Sequence, residues 1–169
     1  KDTIKNRENR LIDLENHIKE LLQENEQCLS KSNSFQEEMQ KLSSSKSSLK
    51  KMNTIKAKLE QRIQNITSEH KFFNENVSCP TCYQKIEEDF RLNKVGEIEE
   101  KVKEIDSAYK DLQKSITKEQ EKDQRFIDVS QQVTALTNDI STNNFKISQY
   151  QRQIGDYESE IQEITEQIA

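Results

Sequence analysis

Two cysteines, Cys79 and Cys82, have the type and spacing to do chemistry, and the only proline of the chain stands between them in Cys79-Pro80-Thr81-Cys82. Two thiolates at the Cys-x-x-Cys spacing let one turn of chain grip a tetrahedral metal such as zinc, at about 2.3 Å per Zn–S bond. Pro80 fixes its own φ and, lacking an N–H, stops a helix at this point. Backbone N–H groups after the first cysteine are then placed to point at its sulfur and support its negative charge. One such pair is half of a zinc site, and the chain contains no second pair. A second copy of the same protein is the obvious donor of the missing half, at one Zn2+ per two chains.

The rest of the chain must position this pair. Its 169 residues are 34% charged, 31% hydrophobic and 6% aromatic, with two glycines and no tryptophan. A globular domain carries more apolar residues than this, so a compact core is not expected. The composition fits a coiled coil or a disordered chain, and periodicity decides between them. From Ile4, apolar residues recur at steps of three and four as Leu11, Leu14, Ile18, Leu21, Cys28, Phe35, Met39 and Leu42, with Arg7, Asn25 and Ser32 as polar exceptions. That is the a/d stripe of a coiled coil. The register slips by a stammer through the serine run Ser43–Ser48, a soft point in the rod, and resumes as Leu49, Met52, Leu59, Ile63, Ile66 and Phe73.

A second stripe starts near Val95 and runs through Ile98, Val102, Ile105, Tyr109, Leu112 and Ile116. It slips at Asp123, Phe126 and Val129, then continues from Val133 to Ile168 with Asn143 as a polar, register-fixing member. The sequence therefore divides into an ascending helix over 1–73, an apical segment over 74–94 that loses the heptad, and a descending helix over 95–169. Each arm is about 105–110 Å long at the helical rise. The near match in length and the firm stop between the arms favour an all-α fold, a long antiparallel coiled-coil hairpin with the cysteines at its apex. The rival arrangement is one long parallel dimer with an interruption in the middle.

The other potential ligands have quieter readings. Cys28 falls on the stripe as a small buried hydrophobe, His17 is equally remote from the pair, and His70 sits between Ile66 and Phe73 as seam packing. Val77, Tyr83, Ile86 and Phe90 are apolar yet outside the stripe, which makes them candidates for contacts across a tip-to-tip dimer or for local packing. The net charge of −5 comes from interspersed Lys and Glu, and the basic stretch from Lys46 to Arg62 reads as a solvated helix face rather than a nucleic-acid surface. No run is long and apolar enough for a membrane. An odd number of cysteines argues against a disulfide framework and for a reducing, intracellular setting. In that setting Asn65-Ile66-Thr67 and Asn76-Val77-Ser78 match the glycosylation pattern by chance.

A Cys-Pro-x-Cys at the apex of a long antiparallel coiled coil resembles the zinc hook of the SMC-related DNA double-strand-break repair ATPases of the SbcC/Rad-fifty type. The Lys/Asn/Ser/Ile-rich composition and the Cys-Pro-Thr-Cys loop are also similar to the large subunit of a tailed-phage recombination endonuclease. The resemblance implies that Cys79 and Cys82 are the metal ligands and that Pro80 and Thr81 form the hook loop. Two hooks, one per protomer, would then share one zinc through four cysteines. Many hooks carry glycine directly after the second cysteine, where this chain has Tyr83. The resemblance further implies ATPase heads, a nuclease subunit and bound DNA outside this region, in a bacterial or phage-infected cytoplasm or a eukaryotic nucleus. The chain itself has no Gly-x-x-x-x-Gly-Lys-Ser/Thr phosphate loop and no carboxylate–histidine cluster, so it reads as a non-catalytic fragment. Three functions stay open on the sequence: a zinc-dependent homodimerisation element, a plain coiled-coil spacer, and a tip switched by a Cys79–Cys82 disulfide.

Overall fold

The computed structural model describes residues 2–168. The fold is all-α, with helices α1 over Asp2–Leu42, α2 over Ser45–Glu75 and α3 over Glu88–Ile168. No strand occurs among the described residues, although Ser78 and Lys85 form an isolated antiparallel bridge. No described helix is long and apolar enough to cross a membrane.

The helices follow from a chain rich in good helix formers and nearly free of glycine and proline. The expected first arm over 1–73 is two helices rather than one, because α1 ends at Leu42 and α2 restarts at Ser45. Serine hydroxyls compete with the helical ladder for backbone groups. Here the Ser45 hydroxyl donates to the Leu42 carbonyl at 2.9 Å, satisfying an acceptor at the end of α1. The ladder then resumes with Ser48 N–H on the Ser44 carbonyl at 3.0 Å. On the other side of the cysteines, α3 starts at Glu88, well ahead of Val95 where the heptad stripe begins. Glu88 and Asp89 occupy its first turn, where negative charge suits the helix dipole. The helix passes through the slip at Asp123, Phe126 and Val129 unbroken, and Val129 is fully buried.

The chain divides into two units. In the unit over Leu42–Arg125, Ile66, Ile98 and Ile105 form a buried cluster, with Leu59, Ile63 and Phe73 packed against it. Each such isoleucine contributes on the order of 1.5–3 kcal/mol through burial. Cross-contacts fix how α2 meets α3. The Tyr109 hydroxyl donates to Glu60 at 3.1 Å, His70 lies 3.4 Å from Glu99, and Arg91 donates to the Phe73 carbonyl at 3.2 Å. Residue numbers rise along α2 as they fall along α3.

The unit made of residues 1–41 and 126–169 shows the same reversal. Arg7 pairs with Glu160 at 2.6 Å and lies 5.3 Å over the Tyr157 ring. The His17 and Tyr150 rings are 5.9 Å apart. Leu11, Leu14, Ile18 and Leu21 are half-buried, while Ile147 and the polar stripe member Ser32 are buried. Asn143 is also buried, and its amide donates to Asn25 at 3.0 Å and to Glu24 at 3.2 Å. Asn25 in turn donates to Asn144 at 2.9 Å. Two polar members of the stripe, Asn25 and Asn143, thus meet in one layer that Glu24 and Asn144 complete.

Candidate metal-binding loop

The loop joining α2 to α3 is short and is held by a few hydrogen bonds. α2 closes at Asn76, whose extended backbone leaves the helix while its side chain donates back to the Phe72 carbonyl at 2.8 Å. Arg91, from the first turns of α3, reaches the neighbouring Phe73 carbonyl. These two contacts serve the carbonyls that any helix end leaves unpaired. The rings of Phe72 and Phe73 meet edge to face at 5.1 Å, and Phe73 meets Phe90 in the same way at 6.0 Å. The base of the loop is therefore an aromatic cluster.

Above it the chain closes on itself. Ile86 N–H donates to the Val77 carbonyl at 2.9 Å, and Cys79 N–H donates to Gln84 at 2.9 Å. Between them Tyr83 N–H donates to the Cys79 carbonyl at 2.8 Å, closing a tight turn over Pro80, Thr81 and Cys82. Tyr83 completes this turn with φ 58°, and it is the one described non-glycine residue with positive φ. An L-residue in the left-handed region costs roughly 1–2 kcal/mol that glycine avoids. Tyr83 thus has a glycine-like backbone with a large side chain on it.

Both thiols are free, Cys79 half-buried and Cys82 exposed. Hydrogen bonds from the backbone N–H of Cys82 and then of Thr81, with help from their side chains, hold the Cys79 thiol below its ordinary pKa against a small opposing effect of burial. Such donors stabilise the thiolate, the form that binds metal and attacks disulfides. The thiols share a cleft with Phe72, Phe73, Gln84, Lys85, Ile86, Glu87 and Phe90. Among the described residues no third His, Cys, Asp or Glu joins them in a cluster that could hold a metal.

The remaining sequence candidates fall around this loop. Val77, Tyr83 and Phe90 are exposed at 67%, 84% and 50%, whereas Ile86 is half-buried and lines the thiol cleft. His70 is half-buried and faces Glu99 beside Thr67, Val102 and Lys103. Cys28 is half-buried in the other unit, beside Glu24, Asp139 and Asn143. Sequence reasoning missed Asn76 and Arg91 as the residues that close the end of α2. An asparagine at the boundary of a helical pattern was the available signal for the first; the second had none.

The chain matches no family model, no curated protein and no solved structure.

Proposed function

We propose that this chain is a zinc-dependent homodimerisation element. In this reading the two helical arms form an antiparallel coiled-coil hairpin, and Cys79 and Cys82 at its apex supply two of the four thiolates of a zinc shared with a second copy. The observation that carries the proposal is the loop itself. A hydrogen-bonded turn presents two free thiols, its N–H groups support the thiolate of the first, and among the described residues no group of three or more His, Cys, Asp or Glu forms a metal-holding cluster. That donor set fits one half of a tetrahedral thiolate site and leaves two positions open. When bound, zinc would supply a link between chains rather than a reaction. The reversal of residue numbers across α2 and α3 supports the hairpin over a parallel dimer.

The resemblance to the zinc hook extends the proposal to a setting. The chain would be the tether of an SMC-like DNA repair and recombination ATPase that works with a nuclease, and the ATPase, nuclease and DNA-binding parts would lie outside residues 1–169. The test is direct. The zinc-saturated chain should sediment as a dimer, and the Cys79→Ser/Cys82→Ser double variant should sediment as a monomer with the same helical content. A double variant that dimerises like the parent in zinc would remove the metal from the account.

A further inference from the structure

Tyr83 carries two properties that conflict within one chain. Its φ of 58° lies where glycine is at ease and a tyrosine is not. Its ring, however, does nothing for the loop that holds it there. The side chain is 84% exposed, it is not among those lining the thiol cleft, and among the described residues it makes no hydrogen bond or ring contact. The work of the residue inside its own chain is done by its backbone N–H, which holds the Cys79 carbonyl. A glycine would do that work equally well and without strain. Backbone strain of this kind persists where function uses it.

The use is indicated by what the neighbouring residue lacks. Cys82 is exposed, and the two thiols make up half of a tetrahedral thiolate set, so the other half must approach the same side of the loop. Tyr83 follows Cys82 directly, and both residues are exposed. Tyrosine also suits a contact of this kind, since it supplies a large, rigid, amphipathic surface with two rotatable angles to immobilise. Exposed Val77 and Phe90 on the same loop and helix end offer apolar surface for a ring to meet.

Resting on the hook reading above, we infer that the Tyr83 ring is a contact residue for a second copy of this chain. In the zinc-joined pair it packs against apolar side chains that the same loop of the second copy exposes. Tyr83 thus adds to metal ligation an apolar surface that the second copy must match.

The test uses the full zinc-loaded chain and three variants. Tyr83→Phe keeps the ring. Tyr83→Asn and Tyr83→Gly remove it but accept the left-handed backbone. Dimer dissociation constants are measured by sedimentation equilibrium at fixed free zinc, and thermal midpoints are measured on the metal-free chain. We expect Tyr83→Phe to dimerise within about twofold of the parent, and the other two to weaken the dimer about tenfold or more, as loss of an aromatic contact residue does. The metal-free midpoints should be unchanged or, for Tyr83→Gly, raised. Dimers of Tyr83→Asn and Tyr83→Gly as tight as the parent's would overturn the inference and leave the hook reading standing. A lowered metal-free midpoint in Tyr83→Gly would also overturn it, by giving the ring a role inside one chain. If the parent itself fails to dimerise with zinc, the inference falls together with the hook.

Discussion

The helical arms and the loop over residues 76–87 hold their shapes by different means. In the helices apolar packing is shared among several side chains, as where Ile66, Ile98 and Ile105 form one buried cluster with Leu59, Ile63 and Phe73 packed against it. No single member is indispensable to the whole. In the loop each stabilising contact occurs once: Asn76 on Phe72, Arg91 on Phe73, Ile86 on Val77, Cys79 on Gln84 and Tyr83 on Cys79. There is little apolar burial to spare there, and the two thiols have no duplicate. Redundancy in the arms and its absence in the loop imply that stability and assembly should respond to different substitutions.

The sharpest way to expose this difference is to cross the two regions. Structural zinc in finger peptides is bound with about 10–16 kcal/mol at neutral pH, so removing the ligands removes the largest single term available to the loop. Cys79→Ser/Cys82→Ser should abolish the zinc-dependent link while leaving the metal-free thermal unfolding of the arms where it was. Ile98→Ala should do the reverse. Ile98 is 2% exposed, and its truncation should lower stability by about 2–5 kcal/mol in a denaturant titration, with zinc uptake by the folded chain retained. If the serine variant unfolds as early as the alanine variant, the two regions are one cooperative unit and the contrast fails.

A smaller effect sharpens the comparison within the arms. Asn143→Leu removes the donor to Asn25 and Glu24, leaving Asn25 only its bond to Asn144, and should cost about 1–3 kcal/mol. Asn25→Leu/Asn143→Leu removes both partners and should recover most of that loss, since an apolar pair needs no hydrogen bond. A double variant that is worse than the single one would show that the layer does more than fix the pairing of the helices.

The smallest effect concerns the thiol chemistry of the loop. Donors from Cys82 and Thr81 keep the Cys79 pKa low in the folded chain, so its thiolate survives to lower pH than in the unfolded chain. Protons compete with metal for these thiolates, so a thiolate-bound metal link should weaken as pH falls. In the metal-free chain, alkylation of Cys79 should persist to lower pH than in the same chain unfolded in urea. Coincident pH profiles would mean that the turn does not support the thiolate.

The recurrent part of the molecule was the part legible in the sequence. Counting steps of three and four picked out Ile66, Ile98, Ile105, Ile116 and Ile147, all of them buried, and marked Asn143 and Ser32 as buried polar positions. Periodicity reports these because each residue repeats its neighbours' environment. Val102 shared the stripe yet is 41% exposed, beside the groove where His70 and Glu99 approach each other. The Cys-x-x-Cys spacing was equally plain because it is local, but α2 ends at Glu75, ahead of Pro80, where Asn76 turns out of the helix. What the sequence did not reveal depends on contacts without a period. The start of α3 at Glu88 is set by a loop closing upon itself, and the left-handed Tyr83 follows from that closure rather than from its own preference.

The most direct measurement of the central claim is zinc content per chain together with molar mass in solution, before and after chelation. The account predicts one zinc per two chains and a return to monomer when the metal is withdrawn. A dimer that carries no zinc and keeps its mass through chelation would contradict it, and the arms rather than the cysteines would then make the contact.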